Sequence, residues 1–542
     1  MMKPCPAISF NFRPSVAPLW VLALVVSCSN NNAPTTHDAS LEMPDTDLGA
    51  VVTTDAGVDS TTVAETFSVA DVPSTADAPS TADASIDIAT ASGDTALAVV
   101  QDAEHLDGAA VTYPTSCDDI GSEPAIPPPC ATVLATKSVA AGGTTLDADE
   151  TFLDTAAIQS ALDACPAGQS VRLVANGTNN AFLVGPIQIK SEKTLWIDTG
   201  VTVYASRNPR NFDAKPGSGL CGTAASNSAC SGVFNMTAST NAGLMGKGTV
   251  DGQGGKPVLG STSTWWQLNT AASGGLAAPR LVSANSGVGL VIQGLRIQNA
   301  GKFHIVPTGV QSFTIWGITI ITDPTSPNTD GIDPSGSTNG VIAYCNISTG
   351  DDNIAIKGAG PLIVDNLIIA HNHFGKGHGM SIGSETNVGV KNVKVCDLSL
   401  DGTANGIRIK SDVSRGGLVT GVSYTDVCMR NVSAPLVFNP FYTSGATGNL
   451  IPSFQNIVLS NVHILGGGKV TLAGYSATNP LTLTMDNVVF DSTPTVTASQ
   501  ATISLGPNPV SIAPSGTGVT VTGNMTGTTP PRDCTDAWIS FN

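Results

Sequence analysis

Gly289-Leu290-Val291-Ile292-Gln293-Gly294-Leu295-Arg296-Ile297-Gln298 is the stretch on which the fold turns. Its apolar side chains, Leu290, Ile292, Leu295 and Ile297, stand at offsets 0, +2, +5 and +7. A step of two is strand alternation, and the single step of three describes a corner between two short strands whose inward faces stay inward. The pattern returns at Phe313, Ile315, Ile318 and Ile320, at Val393, Val395, Leu398 and Leu400, and at Val422, Tyr424, Val427 and Met429. It recurs again at Ile457, Leu459, Val462 and Ile464 and at Leu483, Met485, Val488 and Phe490. Two weaker copies lie between, at Ile342, Cys345 and Ile347 and at Leu367, Ile369, Asn372 and Phe374. Successive copies are 23 to 35 residues apart.

A period of that size, without intervening helices or a leucine-rich consensus, belongs to a β-solenoid. The predicted fold is all-β, a single-stranded parallel β-helix with coils stacked about 4.8 Å apart. Roughly ten coils fit between residues 170 and 500, each burying its core only against its neighbours. Helical spacing is read once, in Thr155–Cys165, where Ile158, Leu162 and Cys165 share a face. This short N-terminal helix is expected to cap the array, because an uncapped terminal coil would expose its interior.

Four polar clusters punctuate the repeat: Asn328-Thr329-Asp330-Gly331, Gly350-Asp351-Asp352-Asn353, Gly377-His378-Gly379 and Arg408-Ile409-Lys410. Placing Ile332 over Ile354 sets Asp330 over Asp352, 22 residues or one coil away. Arg408 and Lys410, two apart on a strand, point the same way. Adjacent Asp351 and Asp352 serve one site only if the chain bends at Gly350. Carboxylates, an imidazole and two cations on neighbouring coils form a set able to hydrolyse the glycosidic bond of an acidic sugar.

The flanks are different in texture. The chain's formal charge of -18 is concentrated at the amino-terminal side, where residues 29–136 hold 18 of 42 acidic residues and no Lys or Arg lies between Pro14 and Thr136. From Lys137 onward, 24 acidic residues face 22 basic ones, so the folded part is nearly neutral and nothing points to a nucleic-acid partner. Residues 1–28 read as an export signal: Lys3 and Arg13 precede an apolar run from Val16 to Val26, too short to span a bilayer as a mature helix. Val25-Val26-Ser27-Cys28 resembles a lipoprotein signal in which Cys28 is lipidated, the alternative being an ordinary cleaved signal with a chance cysteine. Ser29, rather than Asp, after the cysteine resembles lipoproteins not retained at the inner membrane, which implies an outer-membrane or cell-surface location, otherwise secretion. Residues 29–115 are rich in Ala, Thr, Ser and Asp, with tandem Pro73–Ala78 and Pro79–Ala84. Such a segment is a disordered tether with a root-mean-square reach of roughly 50 Å. The third unit, residues 116–542, is the β-helix domain.

The four clusters in this order, with Gly377-His-Gly-Met-Ser-Ile-Gly-Ser-Glu385, Asp401-Gly-Thr-Ala-Asn-Gly-Ile-Arg-Ile-Lys410, Gly248-Thr-Val-Asp-Gly-Gln-Gly-Gly255 and Trp265-Trp266, resemble the polygalacturonases of glycoside hydrolase family 28, above all the bacterial endo-enzymes. The resemblance implies a right-handed β-helix that hydrolyses α-1,4-galacturonan with inversion and needs no metal or other cofactor. It makes Asp351 the general acid, Asp330 and Asp352 the carboxylates that activate water, and His378 the group that tunes protonation. Arg408 and Lys410 would hold galacturonate carboxylates by charge-assisted hydrogen bonds. Tyr442 would contact the sugar beside the cleavage point, and Asn328 would bind substrate or hold its turn. Inversion calls for acid and base roughly 6.5–9.5 Å apart. The same resemblance pairs Cys130 with Cys165 and Cys221 with Cys230. Cys345, at an inward position, is expected to be a buried thiol. Cys396 and Cys428 stand about 10 Å out of register, too far to bridge, and Cys117 is assigned to Cys534, closing the two ends together.

Other readings are attached to single residues. Trp265 and Trp266 stack on sugar or pack at the side of the array, with packing preferred. Asp333 reads as a turn or corner residue rather than a catalyst, His304 as structural, and His371 with His373 as a solvated face rather than a metal site. The expected partner is a pectin or polygalacturonate substrate, and the protein is expected to be a monomer. An exo-enzyme, a rhamnogalacturonan hydrolase, a Ca²⁺-dependent pectate lyase and a non-catalytic polysaccharide-binding β-helix are the alternatives.

Overall fold

The computed structural model describes Tyr113 and residues 116–139, 150–223, 226–360 and 362–541. The signal, Cys28 and nearly all of the tether lie outside the described residues. What remains is the expected all-β parallel β-helix. Its longest strands, Val364–Phe374, Val390–Asp401, Gly417–Arg430, Pro452–Leu465 and Leu481–Phe490, pair in parallel along one flank.

The repeat read from the sequence is the register of the structure. Leu290, Phe313, Gly340, Leu367, Val393, Val422, Ile457 and Leu483 stack one above another. Between offsets +2 and +5 each coil places one residue at positive φ: Gly294, Gly317, Tyr344, His371, Asp397, Asp426, Asn461 and Asn487. A left-handed residue turns the chain without adding a rung, so inward alternation resumes at the third residue instead of the second.

Both weak copies have physical explanations. Gly340 takes the place of an apolar residue because a Cβ there would lie 2.2 Å from Phe313 Cζ and 2.8 Å from Leu367 Cδ2, which already fill the space. Asn372 is fully buried at an apolar position. Its Oδ1 accepts from the Cys345 amide at 2.8 Å and its Nδ2 donates to the Ile342 carbonyl at 2.9 Å, so burial leaves no stranded polar group.

Another face carries the site. Strands Val282–Asn285 and Ile305–Thr308 belong to a four-stranded sheet, and Ile354–Ile356, Met380–Ile382, Asn405–Lys410, Ala434–Asn439 and Lys469–Ala473 to a six-stranded one. Isolated bridges Ile305↔Ile332 and Ile332↔Ile354 join the two, so the ladder thins at the coil that bears Asp330.

The capping helix spans Thr155–Ala164 and buries Ile158 and Leu162 against the first coils. A second helix, Trp265–Ala271, departs from the expectation of a single helical segment. Its signal is a capping box: Thr264 accepts from the Gln267 amide, and the Gln267 side chain accepts from the Thr264 amide. Trp265 is buried in the core, and Trp266 donates from Nε1 to the Ala300 carbonyl at 2.8 Å, the packing role preferred for the pair.

Cys130–Cys165 and Cys221–Cys230 are bonded as the resemblance implied, and Cys345 is a buried thiol whose pKa burial pushes up to about 12. The Cys117–Cys534 assignment is corrected: Cys117 joins Cys396 and Cys534 joins Cys428. Ser399, not Cys396, is the register partner of Cys428, so the two staggered cysteines each receive a different end of the chain on the long-strand flank. The carboxyl-terminal segment is tied there too, by His463 Nδ1 to the Arg532 carbonyl at 2.7 Å and by Asn487 Nδ2 donating to the Pro530 carbonyl at 2.9 Å.

Candidate active site

Asp330 comes over Asp352 through the Ile332↔Ile354 bridge and the Gly331 amide, which donates to the Asp352 carbonyl at 2.9 Å. The bend that lets Asp351 join them is built at Gly350, whose absent Cβ would stand 2.0 Å from the Ser326 carbonyl oxygen. Asp351 Oδ1 then accepts from the Asp352 amide at 2.7 Å, and the Asp351 carbonyl accepts from the His378 amide at 2.9 Å. Gly377, at φ 133°, leaves room for this approach, since a Cβ would be 2.7 Å from both Asn353 Oδ1 and the Asp351 carbonyl. Asn353 ties the turn by donating to the Ile347 and Lys376 carbonyls and accepting from the Gly379 amide, each at 2.9 Å.

Asp352 is fully buried and surrounded by donors. Ser381 Oγ donates to its Oδ1 at 2.7 Å, Arg408 Nη2 reaches the same oxygen, and Lys410 Nζ lies 3.1 Å from Oδ2. Arg408 Nε donates to Ser381 Oγ at 3.0 Å. Both cations are themselves buried, so the carboxylate and its partners compensate one another's desolvation. Tyr442 covers this end, its ring centroid 4.9 Å from Lys410 Nζ.

His378 Nδ1 is 2.9 Å from Asp351 Oδ1. Burial opposes the charged imidazole, but the charge of Asp351 and its hydrogen bond outweigh that, and the His378 pKa is raised. Asp330 has a different environment. Its Oδ1 is buried without a hydrogen-bond partner, and burial first, then the charges of Asp333 and Asp351, lifts its pKa well above the ordinary carboxylate value. The neighbouring His304 holds its backbone, Nδ1 lying 2.9 Å from the Asp330 carbonyl and Nε2 2.7 Å from Thr322 Oγ1. Fully desolvated, His304 titrates at about 4 and is neutral, a structural group as read from the sequence.

Asp333 is not a turn residue. It is buried one register position beyond Ile332, with both carboxylate oxygens lacking hydrogen-bond partners and Lys357 Nζ 3.9 Å away. Burial pushes its pKa up to about 7 against the pull of Lys357. Lys357 also stands 3.6 Å from Glu385 Oε2, and Arg415 Nε is 3.3 Å from Glu385 Oε1; desolvation opposes the charge of this half-buried carboxylate, but the two cations outweigh it and its pKa is lowered. Lys357 and Arg415 were not singled out in the sequence, and Ser381 and Glu385 stood in a quoted motif without a role. A signal existed for Lys357: Ile354-Ala355-Ile356-Lys357 repeats the pattern Ile407-Arg408-Ile409-Lys410, and the ladder aligns the two through Met380–Ile382.

Asn328 has φ 51° and accepts through Oδ1 from Asn269 Nδ2 at 3.0 Å, which favours turn-holding. His371 and His373 lie off the site; His371 Nδ1 meets Asp397 at 2.8 Å and His373 Nδ1 meets Ser399 Oγ at 2.7 Å. Asp351, Asp352 and His378 do offer ligand atoms within 4.8 Å of one another. Those atoms are engaged with each other, Ser381 and the two cations, a donor set suited to proton handling more than to a divalent ion.

Clustered carboxylates and buried cations on one face of a β-helix are the equipment of a polysaccharide-cleaving class of protein. A model of glycosyl hydrolases family 28 matches residues 165–511, and the chain belongs to that family as a glycoside hydrolase. It is 42% identical over 516 residues to a polygalacturonase of Ralstonia nicotianae (strain ATCC BAA-1114 / GMI1000), covering 82% of this chain and 96% of that one. An endo-polygalacturonase of Pectobacterium parmentieri is 41% identical over 376 residues, covering 68% of this chain and 89% of the relative. The solved polygalacturonase from Erwinia carotovora ssp. carotovora superposes with a TM-score of 0.65 at 38% identity, covering 72% of this chain and 100% of that one.

Proposed function

We propose that the protein is an endo-polygalacturonase that hydrolyses α-1,4-galacturonosyl linkages of pectin with inversion. The observation that carries this reading is the convergence of Asp330, Asp351 and Asp352 with Arg408 and Lys410 on adjoining coils, supported by the names of the bacterial relatives. Asp351, at the edge of the cluster beside His378, protonates the leaving oxygen. Asp352, held by Arg408, Ser381 and Lys410, takes the proton that the attacking water gives up, with Asp330 one coil away on the same face. The substrate carboxylate shares Arg408 and Lys410 with Asp352, and Tyr442 packs on the adjacent sugar. Asn328 fixes the Asp330 turn.

The nearest atoms of Asp351 and Asp352 are within 4.8 Å, closer than the span of about 6.5–9.5 Å usual for inversion. Stereochemistry is therefore tested directly, by proton NMR of the anomer formed first. Incubation with polygalacturonate is expected to give an early ladder of oligomers, and Asp351→Asn to lower kcat by about 10²- to 10⁴-fold. Early release of one small product alone would make the enzyme exo-acting. Unsaturated products lost on chelation would make it a lyase, and unaltered kcat in Asp351→Asn would remove Asp351 from its role.

The location is part of the same proposal: export by residues 1–28, lipidation at Cys28 and a catalytic monomer held out on the tether. Labelling with a fatty-acid probe, abolished by Cys28→Ala, tests the anchor.

A further inference from the structure

We infer that Phe441 and Tyr475 form a sugar-binding platform beyond the Lys410 coil, an outer subsite for galacturonan on the carboxyl-terminal side of the cleavage point. The inference rests on the substrate reading above. Lys410 pairs in register with Asn439, and Phe438 pairs with Leu472, so the chain leaves the site face at equivalent places, into Pro440-Phe441-Tyr442 on one coil and Gly474-Tyr475 on the next. The two rings, one from each coil, stack at 5.6 Å with their planes 28° apart, which leaves the outer face of the exposed Phe441 ring open. Phe441 is 52% exposed, a large apolar ring left in water directly beside Tyr442, whose own ring stands over Lys410.

The backbone holds this pair in place. The Phe441 amide donates to Asn439 Oδ1 at 3.0 Å, and the Tyr442 amide to the Ser411 carbonyl at 2.9 Å. The Tyr475 turn is closed by the Asn479 carbonyl accepting from the Tyr475 amide at 3.0 Å. Coils rise about 4.8 Å each, so a chain laid along the groove from Lys410 meets Phe441 within one coil and Tyr475 within two. The floor changes over the same distance. The column occupied by Asp333, Ala355, Ser381 and Arg408 continues as Val437 and Thr471, and Lys410 is followed by Asn439 and Ala473. Charged recognition at the cleavage point thus gives way to small neutral side chains beside an aromatic wall. Such a wall recognises the apolar C–H face of a pyranose ring, with its carboxylate directed to water.

The experiment compares kcat/KM on galacturonate hexamers and trimers for the full chain, Phe441→Ala, Tyr475→Ala and the conservative Tyr475→Phe. The ratio of hexamer to trimer is expected to fall about 5- to 10-fold in each alanine variant, through KM, and to be retained in Tyr475→Phe. An unchanged ratio overturns the platform, as does an equal loss on both lengths, which would place the rings in support of the loops alone. A wild-type protein that cleaves neither oligomer defeats the substrate reading itself, a result separable from failure of the platform.

Discussion

Asp352 and Asp330 stand one coil apart on the same face, yet their surroundings are opposite. Asp352 is encircled by Ser381, Arg408 and Lys410. Asp330 has a buried oxygen with no hydrogen-bond partner and two further carboxylates as neighbours. Residue type is therefore a poor guide to protonation in this cluster. Cations and donors compensate the buried charge of one carboxylate, while desolvation and like charge raise the pKa of the other. The β-helix supplies these unlike environments by stacking unlike loops on a common ladder.

The largest test removes Asp352. Asp352→Ala leaves Arg408 and Lys410 buried without their counter-charge and is expected to cost about 3–5 kcal/mol of stability. Urea denaturation would register this as a lower midpoint. Lys410→Met added to Asp352→Ala should recover part of the loss, and no recovery would mean that the carboxylate is held for reasons other than charge.

The second test acts on the proton-rich side. Asp333 titrates at about 7 in the folded protein but as an ordinary carboxylate, at 3.8, once unfolded. Between those values the unfolded chain releases a proton that the folded one keeps, so stability falls as pH rises through this window. Asp333→Asn should match wild type in melting temperature at pH 4 and exceed it above pH 7. Parallel pH profiles for the two proteins would show that Asp333 is not the strained member.

The smallest expected effect is at His378, more than a third exposed in its side chain. Its raised pKa means that its pairing with Asp351 contributes fully below the unfolded value of 6.5 and disappears as pH passes the folded value. His378→Gln should thus be less stable than wild type at pH 5 and indistinguishable at pH 9. A deficit independent of pH would assign the imidazole a packing role.

Most of the scaffold could be read because a solenoid writes its register into sequence as a period. Leu290, Phe313 and their successors needed only to be aligned, and Ile332 over Ile354 carried Asp330 to Asp352. The clusters were legible because polar groups interrupt an apolar rhythm. Asp333 was misread because Asp three residues after Asp330 looks like a turn former, and burial is a property of the coil above and below. The helix at Trp265 was missed although its capping box was present, because seven residues give too short an apolar period. Cys117 and Cys534 were paired as a closure of the two ends, whereas their partners depend on where each end runs across the flank.

The order of residues alone settled the coil, its inward faces, the corner spacing and the set of groups that share a groove, because each follows from strand alternation and a repeat length. Only the folded molecule decided which carboxylate is compensated, that Asp333 joins the cluster, how Cys396 and Cys428 capture the two ends, and that Phe441 meets Tyr475. Those outcomes depend on desolvation and on contacts between coils, and both arise only once distant segments are stacked.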